Sequence, residues 1–87
     1  MAIVVNPKFK NGDYIINRTC GDMAVVKGVT QKGYYTFLHY YNNMSKVMKN
    51  LDKYTYELQV NYEKFFDYCT DDEKKDLDEK IIKVDKE

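Results

Sequence analysis

Residues 34–41, Tyr-Tyr-Thr-Phe-Leu-His-Tyr-Tyr, place five aromatic rings in eight positions and constrain the fold more than any other stretch of the chain. Strand alternation puts Tyr35, Phe37, His39 and Tyr41 on one face and Tyr34, Thr36, Leu38 and Tyr40 on the other. Rings on both faces suit a central strand, or a strand with one face kept for contact. The chain has no tryptophan and four leucines, so these rings are the natural material for a core. Its 87 residues suffice for one domain, 1–87, because a second core would need roughly 50 residues of its own. Folding at this size buries only roughly 60–65 % of the surface of the unfolded chain.

The flanking sequence reads as short strands joined by glycine turns. Residues 2–5 form a β-branched run closed by Asn6-Pro7. Residues 9–13 read as a turn in which Asn11-Gly12 supplies a positive φ. Residues 14–19 are a strand candidate, broken by Cys20-Gly21-Asp22. Residues 23–30 give a second strand, with Ala24, Val26 and Gly28 on one face and Val25 and Val29 nearer the other; Gln31-Lys32-Gly33 is a hairpin loop into the aromatic strand. In residues 44–53, Met44, Val47, Met48 and Leu51 fit a short helix by spacing, with a fourth strand as the alternative. Tyr54, Tyr56, Leu58 and Val60 alternate as a strand, against a competing helix from Leu51 to Tyr62.

The remainder reads as helical, over residues 61–84. Asn61 is a good N-cap for a stripe of Tyr62, Phe65, Phe66 and Cys69. Thr70-Asp71-Asp72-Glu73 is a capping box, and its acids complement the helix dipole. Leu77, Ile81 and Val84 make a thin apolar stripe along the last helix. The expected class is α+β: a small antiparallel barrel or curled sheet over residues 1–60, followed by a C-terminal helix or helices.

Several chemistries lack their residues. Cys20 and Cys69 stand apart with no CxxC spacing, and His39 is the sole histidine, so neither a zinc site nor any other metal or cofactor site is expected. No GxxxxGK[ST], GxGxxG, HExxH or GxSxG motif occurs, and a Cys20/His39 dyad would lack a third group. The expected protein is not an enzyme. The longest apolar runs are too short to span a membrane, and the N-terminus carries no basic region followed by an apolar stretch. A cytoplasmic protein with two reduced thiols is expected.

Net charge is zero, yet residues 1–53 carry eight cations against three anions and residues 54–87 six cations against eleven anions. That bipolar layout lets one pole steer a partner. Thirteen lysines accompany one arginine, which suits diffuse electrostatics better than base readout. Two surfaces follow. A protein-binding surface would draw on Asp71, Asp72, Glu73 and Asp76 and on the rings Tyr34, Tyr35, Tyr40 and Tyr41. A nucleic-acid surface would draw on Lys27, Lys32, Lys46 and Lys49, with exposed rings stacking on bases.

Residues 9–16, Phe-Lys-Asn-Gly-Asp-Tyr-Ile-Ile, together with residues 23–29 and Gly33-Tyr34-Tyr35, resemble SH3-like barrels of the KOW-like kind, which open with a phenylalanine, a Gly-Asp turn and an apolar strand. The resemblance covers about residues 9–42. The whole also looks like short proteins carried by phages and mobile elements of AT-rich bacteria, with their Lys, Asn and Tyr enrichment. What this implies is a non-catalytic interaction protein, in the cytoplasm of a bacterial host, that binds a host or phage protein. Inhibition of a nucleic-acid-targeting defence factor, in the anti-CRISPR manner, is its most concrete form. The alternative is a KOW-like nucleic-acid binder.

Overall fold

The computed structural model describes residues 7–51 and 57–86, without the side chains of residues 50, 57 and 84–86. The strand expected over residues 2–5, the rings of Tyr54 and Tyr56, and the side chain of Val84 lie outside the described residues. The fold is α+β. Its strands are β1 (Tyr14–Asn17), β2 (Met23–Val29), β3 (Tyr34–Asn42), β4 (Val47–Asn50) and β5 (Glu57–Gln59). A 3₁₀ segment (Val60–Phe65), β6 (Phe66–Tyr68) and helix α1 (Asp71–Lys86) follow.

All six strands join one antiparallel sheet in the order β4-β3-β2-β1-β6, with β5 also on β3. The aromatic strand is central. β2 runs along one edge of β3, while β4 pairs with residues 39–42 and β5 with residues 34–36 on the other. β4 and β6 end the path and do not pair with each other, so the sheet is not a closed barrel.

Two bulges decide which residues are inside. Val25 faces His39 and Val26 faces Phe37, which leaves Leu38 as an extra residue of β3. Val26 to Gly28 then spans Phe37 to Thr36, which leaves Lys27 as an extra residue of β2. Each bulge inverts the in-out phase beyond it. Tyr35 and Phe37 therefore share one cluster with Tyr40, while Leu38 and Tyr41 belong to the other. The unbroken alternation read from the sequence is corrected on this point. Val29 likewise joins Ala24 and Val26 instead of Val25.

The sheet is buried on both faces. The first cluster, built on Phe9, Ile15, Ala24, Val26, Tyr35, Phe37, Leu51 and Phe66, contains no residue of α1 among the described residues. Strands from across the sheet supply it, which requires the sheet to curl around its own side chains. The second, built on Ile16, Met23, Val25, Tyr41, Cys69 and Leu77, is covered by α1.

Over residues 44–53 the fourth strand replaces the competing short helix, and the helix expected over residues 61–69 is overturned. Residues 43–46 form a tight reversal into β4, with Lys46 at φ 59° and the Asn42 side chain accepting the Ser45 N–H at 3.0 Å. Of the supposed stripe, Met44 is fully out in solvent and Val47 half-exposed, while Leu51 is buried. Residues 61–69 do not form an α-helix either. Val60–Phe65 is 3₁₀ with no side-chain cap, so Asn61 is not an N-cap, and Phe66–Tyr68 pairs with β1. The free edge of β1 offers backbone partners that local helical spacing does not take into account.

The capping box forms as read. The Glu73 N–H donates to Thr70 Oγ1 at 3.2 Å and the Thr70 N–H donates to Glu73 Oε1 at 2.8 Å. Leu77 is fully buried and Ile81 packs beside it. The Tyr14 hydroxyl donates to Asp78, and Lys80 lies 4.9 Å from the Tyr41 ring centroid. The helix thus crosses from β1 toward β3.

Candidate docking surface

The four tyrosines expected on a partner-facing surface are held inside or at its margin. Tyr35 is fully buried and Tyr41 nearly so, which corrects their placement on a contact surface. The Tyr35 hydroxyl accepts the Phe9 N–H at 3.2 Å and donates to Glu63, whose Oε2 also accepts the Lys8 N–H at 3.0 Å. Burial, then the Glu63 carboxylate, pushes the Tyr35 hydroxyl up to about 12. Tyr40 is half-buried and donates to Asp22 at 2.9 Å; Tyr34 is half-buried beside Gln59. Buried rings with satisfied hydroxyls are the economical core of a chain without tryptophan.

Two of the four helix acids are committed to the fold. Arg18 forks onto Glu73 with both contacts at 3.0 Å and reaches Asp67 at 3.5 Å, tying β1, β6 and α1 together. The Arg18 hydrogen bonds and the Thr70 N–H hold the Glu73 carboxyl below its ordinary value. Asp76 pairs with Lys80 at 2.7 Å. Asp71 and Asp72 are exposed, and their side chains form no hydrogen bond or ion pair among the described residues.

The four lysines are all exposed but are not gathered. Lys32 lies in the loop before β3 and Lys46 in the turn after it, so the strand, about 26 Å long at 3.3 Å per residue, separates them. Lys27 is the bulge residue of β2, and Lys49 pairs with Tyr40 on β4.

Neither thiol sulfur forms a hydrogen bond among the described residues. Cys69 is buried, which pushes its thiol up to about 11, away from nucleophilic use at neutral pH. Cys20 is exposed in a turn whose carbonyl accepts the Asn43 amide at 3.0 Å, four residues along the chain from His39. Among the described residues, His39 Nδ1 is buried without a hydrogen-bond partner. No group of three or more metal-ligating side chains gathers among the described residues, and no helix there is long and apolar enough to cross a membrane.

The rings that do face solvent lie outside the surfaces expected from the sequence. Tyr62 is 46 % and Phe65 50 % exposed, and the 3₁₀ segment that carries them has no buried residue. At three residues per turn, positions 62 and 65 eclipse, so the rings stack with centroids 6.1 Å apart and planes 30° apart. Lys64 Nζ lies 5.4 Å from the Phe65 centroid. Tyr68 is 49 % exposed; its hydroxyl donates to the Lys8 carbonyl at 2.9 Å and its ring meets Phe9 edge-on. Lys8 Nζ is 5.3 Å from the Phe9 centroid and 5.7 Å from that of Tyr68. The alternation of Phe66 and Tyr68 was the signal that the helical stripe ended at Phe65.

Compared with known proteins, the chain matches no family model, no curated protein and no solved structure.

Proposed function

We propose that the chain is a non-catalytic interaction protein that docks on a partner protein through Tyr62 and Phe65. The observation that carries the reading is the stacked, half-exposed ring pair on a segment with no buried residue. Aromatic rings exposed in this way have a favourable use at an interface, where tyrosine and other large rings concentrate binding energy. In its most concrete form the partner is a nucleic-acid-targeting factor of a bacterial host, bound in the cytoplasm by a protein of phage or mobile-element origin. Small size, the acidic C-terminal third and the Lys-, Asn- and Tyr-rich composition support that form.

The test is a pull-down with tagged wild type and a Tyr62→Ser/Phe65→Ser double variant, each with and without nuclease. A protein retained by wild type after nuclease and lost by a folded double variant is the expected result. Partners that vanish with nuclease, and depend on Lys27, Lys32, Lys46 or Lys49, would replace this reading with nucleic-acid binding.

A further inference from the structure

The charge around the ring pair is opposite in sign to that of the chain segment that carries it. Residues 54–87 have eleven anions and six cations, so Tyr62 and Phe65 would be expected in acidic surroundings. The fold reverses this. Glu63, the anion between them in sequence, turns inward to the Tyr35 hydroxyl and the Lys8 N–H. The same hydrogen bond brings the Lys8 backbone against the 3₁₀ segment, and the Tyr68 hydroxyl fixes the Lys8 carbonyl from the other side. Asp67, the remaining nearby anion of β6, is paired with Arg18. What is left outward is Tyr62, Phe65 and Tyr68 with the exposed ammonium groups of Lys8 and Lys64, neither of which forms an ion pair among the described residues.

We propose that this edge binds an acidic peptide segment of a partner protein, with an apolar side chain of the segment on the Tyr62–Phe65 rings and its carboxylates on Lys8 and Lys64. The inference rests on the protein-docking reading above and specifies the chemistry of its partner. Charge complementarity selects the occupant: two unpaired cations flank an apolar contact, and rim charges of this kind set specificity and association rate. A single nucleic-acid strand fits less well. Two lysines and no arginine would release only about 1.4 counterions on single-strand binding, at roughly 0.7 per neutralised phosphate, which leaves little affinity at physiological salt.

The experiment selects displayed random short peptides on wild type, with counter-selection on the Tyr62→Ser/Phe65→Ser variant, and titrates the best peptide in labelled form. The expected peptides combine Asp or Glu with an aromatic residue or leucine. Their affinity falls about tenfold or more in the double variant. It falls about two- to five-fold for each of Lys8→Glu and Lys64→Glu, changes at exposed positions outside the core. Pair-dependent peptides with no excess of acid would overturn the acidic chemistry and leave the docking reading standing. Absence of any pair-dependent peptide would overturn both. Competition by oligothymidylate at comparable affinity would replace the peptide with nucleic acid, and wild-type self-association abolished in the double variant would replace it with a second copy of the chain.

Discussion

A buried phenol must place its hydroxyl somewhere, and Tyr35 uses that requirement to close the chain. Its ring fills the centre of one core while its hydroxyl joins β3 to Glu63 and to the Phe9 N–H. Tyr14 does the same on the opposite face: its hydrogen bond to Asp78, with burial second, pushes its hydroxyl up to about 12. Both phenols are thus raised above the ordinary value of about 10, so the fold favours their neutral forms. Their contribution to stability is complete below pH about 10 and is lost as pH rises toward 12. An alkaline titration followed by phenolate absorbance should show Tyr14 and Tyr35 ionising late, together with unfolding. Tyr14→Phe and Tyr35→Phe should each remove one late ionisation. An unchanged late ionisation in both variants would contradict these assignments.

At the scale of elements, the legible parts were those whose partners are close in sequence. Thr70 and Glu73 satisfy each other across one turn, so the four-residue pattern was enough. The Asn11-Gly12 turn was likewise local, with Gly12 at φ 88° and the Asp13 carboxylate accepting the Lys10 N–H. The bulges at Leu38 and Lys27 were not legible, because they arise from how β2 and β3 register against each other. The exposed ring pair was missed for a related reason: Tyr62, Phe65, Phe66 and Cys69 have helical spacing, but Phe66–Tyr68 is claimed by the edge of β1. Glu73 offers a test of the capping geometry. Its carboxyl is held low, so the stabilisation it provides is present above pH about 4.3 and disappears as pH falls through its lowered folded value. Glu73→Gln should flatten the acid limb of the stability profile, and Thr70→Ala should cost about 1 kcal/mol at neutral pH by chemical denaturation. An unchanged acid limb would separate Glu73 from the Arg18 bridge that is assigned to it.

At the scale of the molecule, one sheet serves two cores, and only the second depends on the helix. Leu77 is the fully buried helical residue that joins α1 to Ile16, Met23, Val25 and Tyr41. Leu77→Ala should therefore cost about 2–5 kcal/mol. That is a large share of the roughly 4–13 kcal/mol expected for a chain of this length. Denaturation should show the loss directly, and a cost below about 1 kcal/mol would mean that α1 is not a structural cover. The first core closes without the helix, leaving Tyr62 and Phe65 on its outer margin as rings the fold does not consume.

The most direct test of the account is calorimetric titration of the partner retained after nuclease, against wild type and the Tyr62→Ser/Phe65→Ser variant at matched melting temperature. The account predicts at least a tenfold weakening in the variant. Equal affinity for both proteins would contradict it, and would move the interface to another face of the molecule.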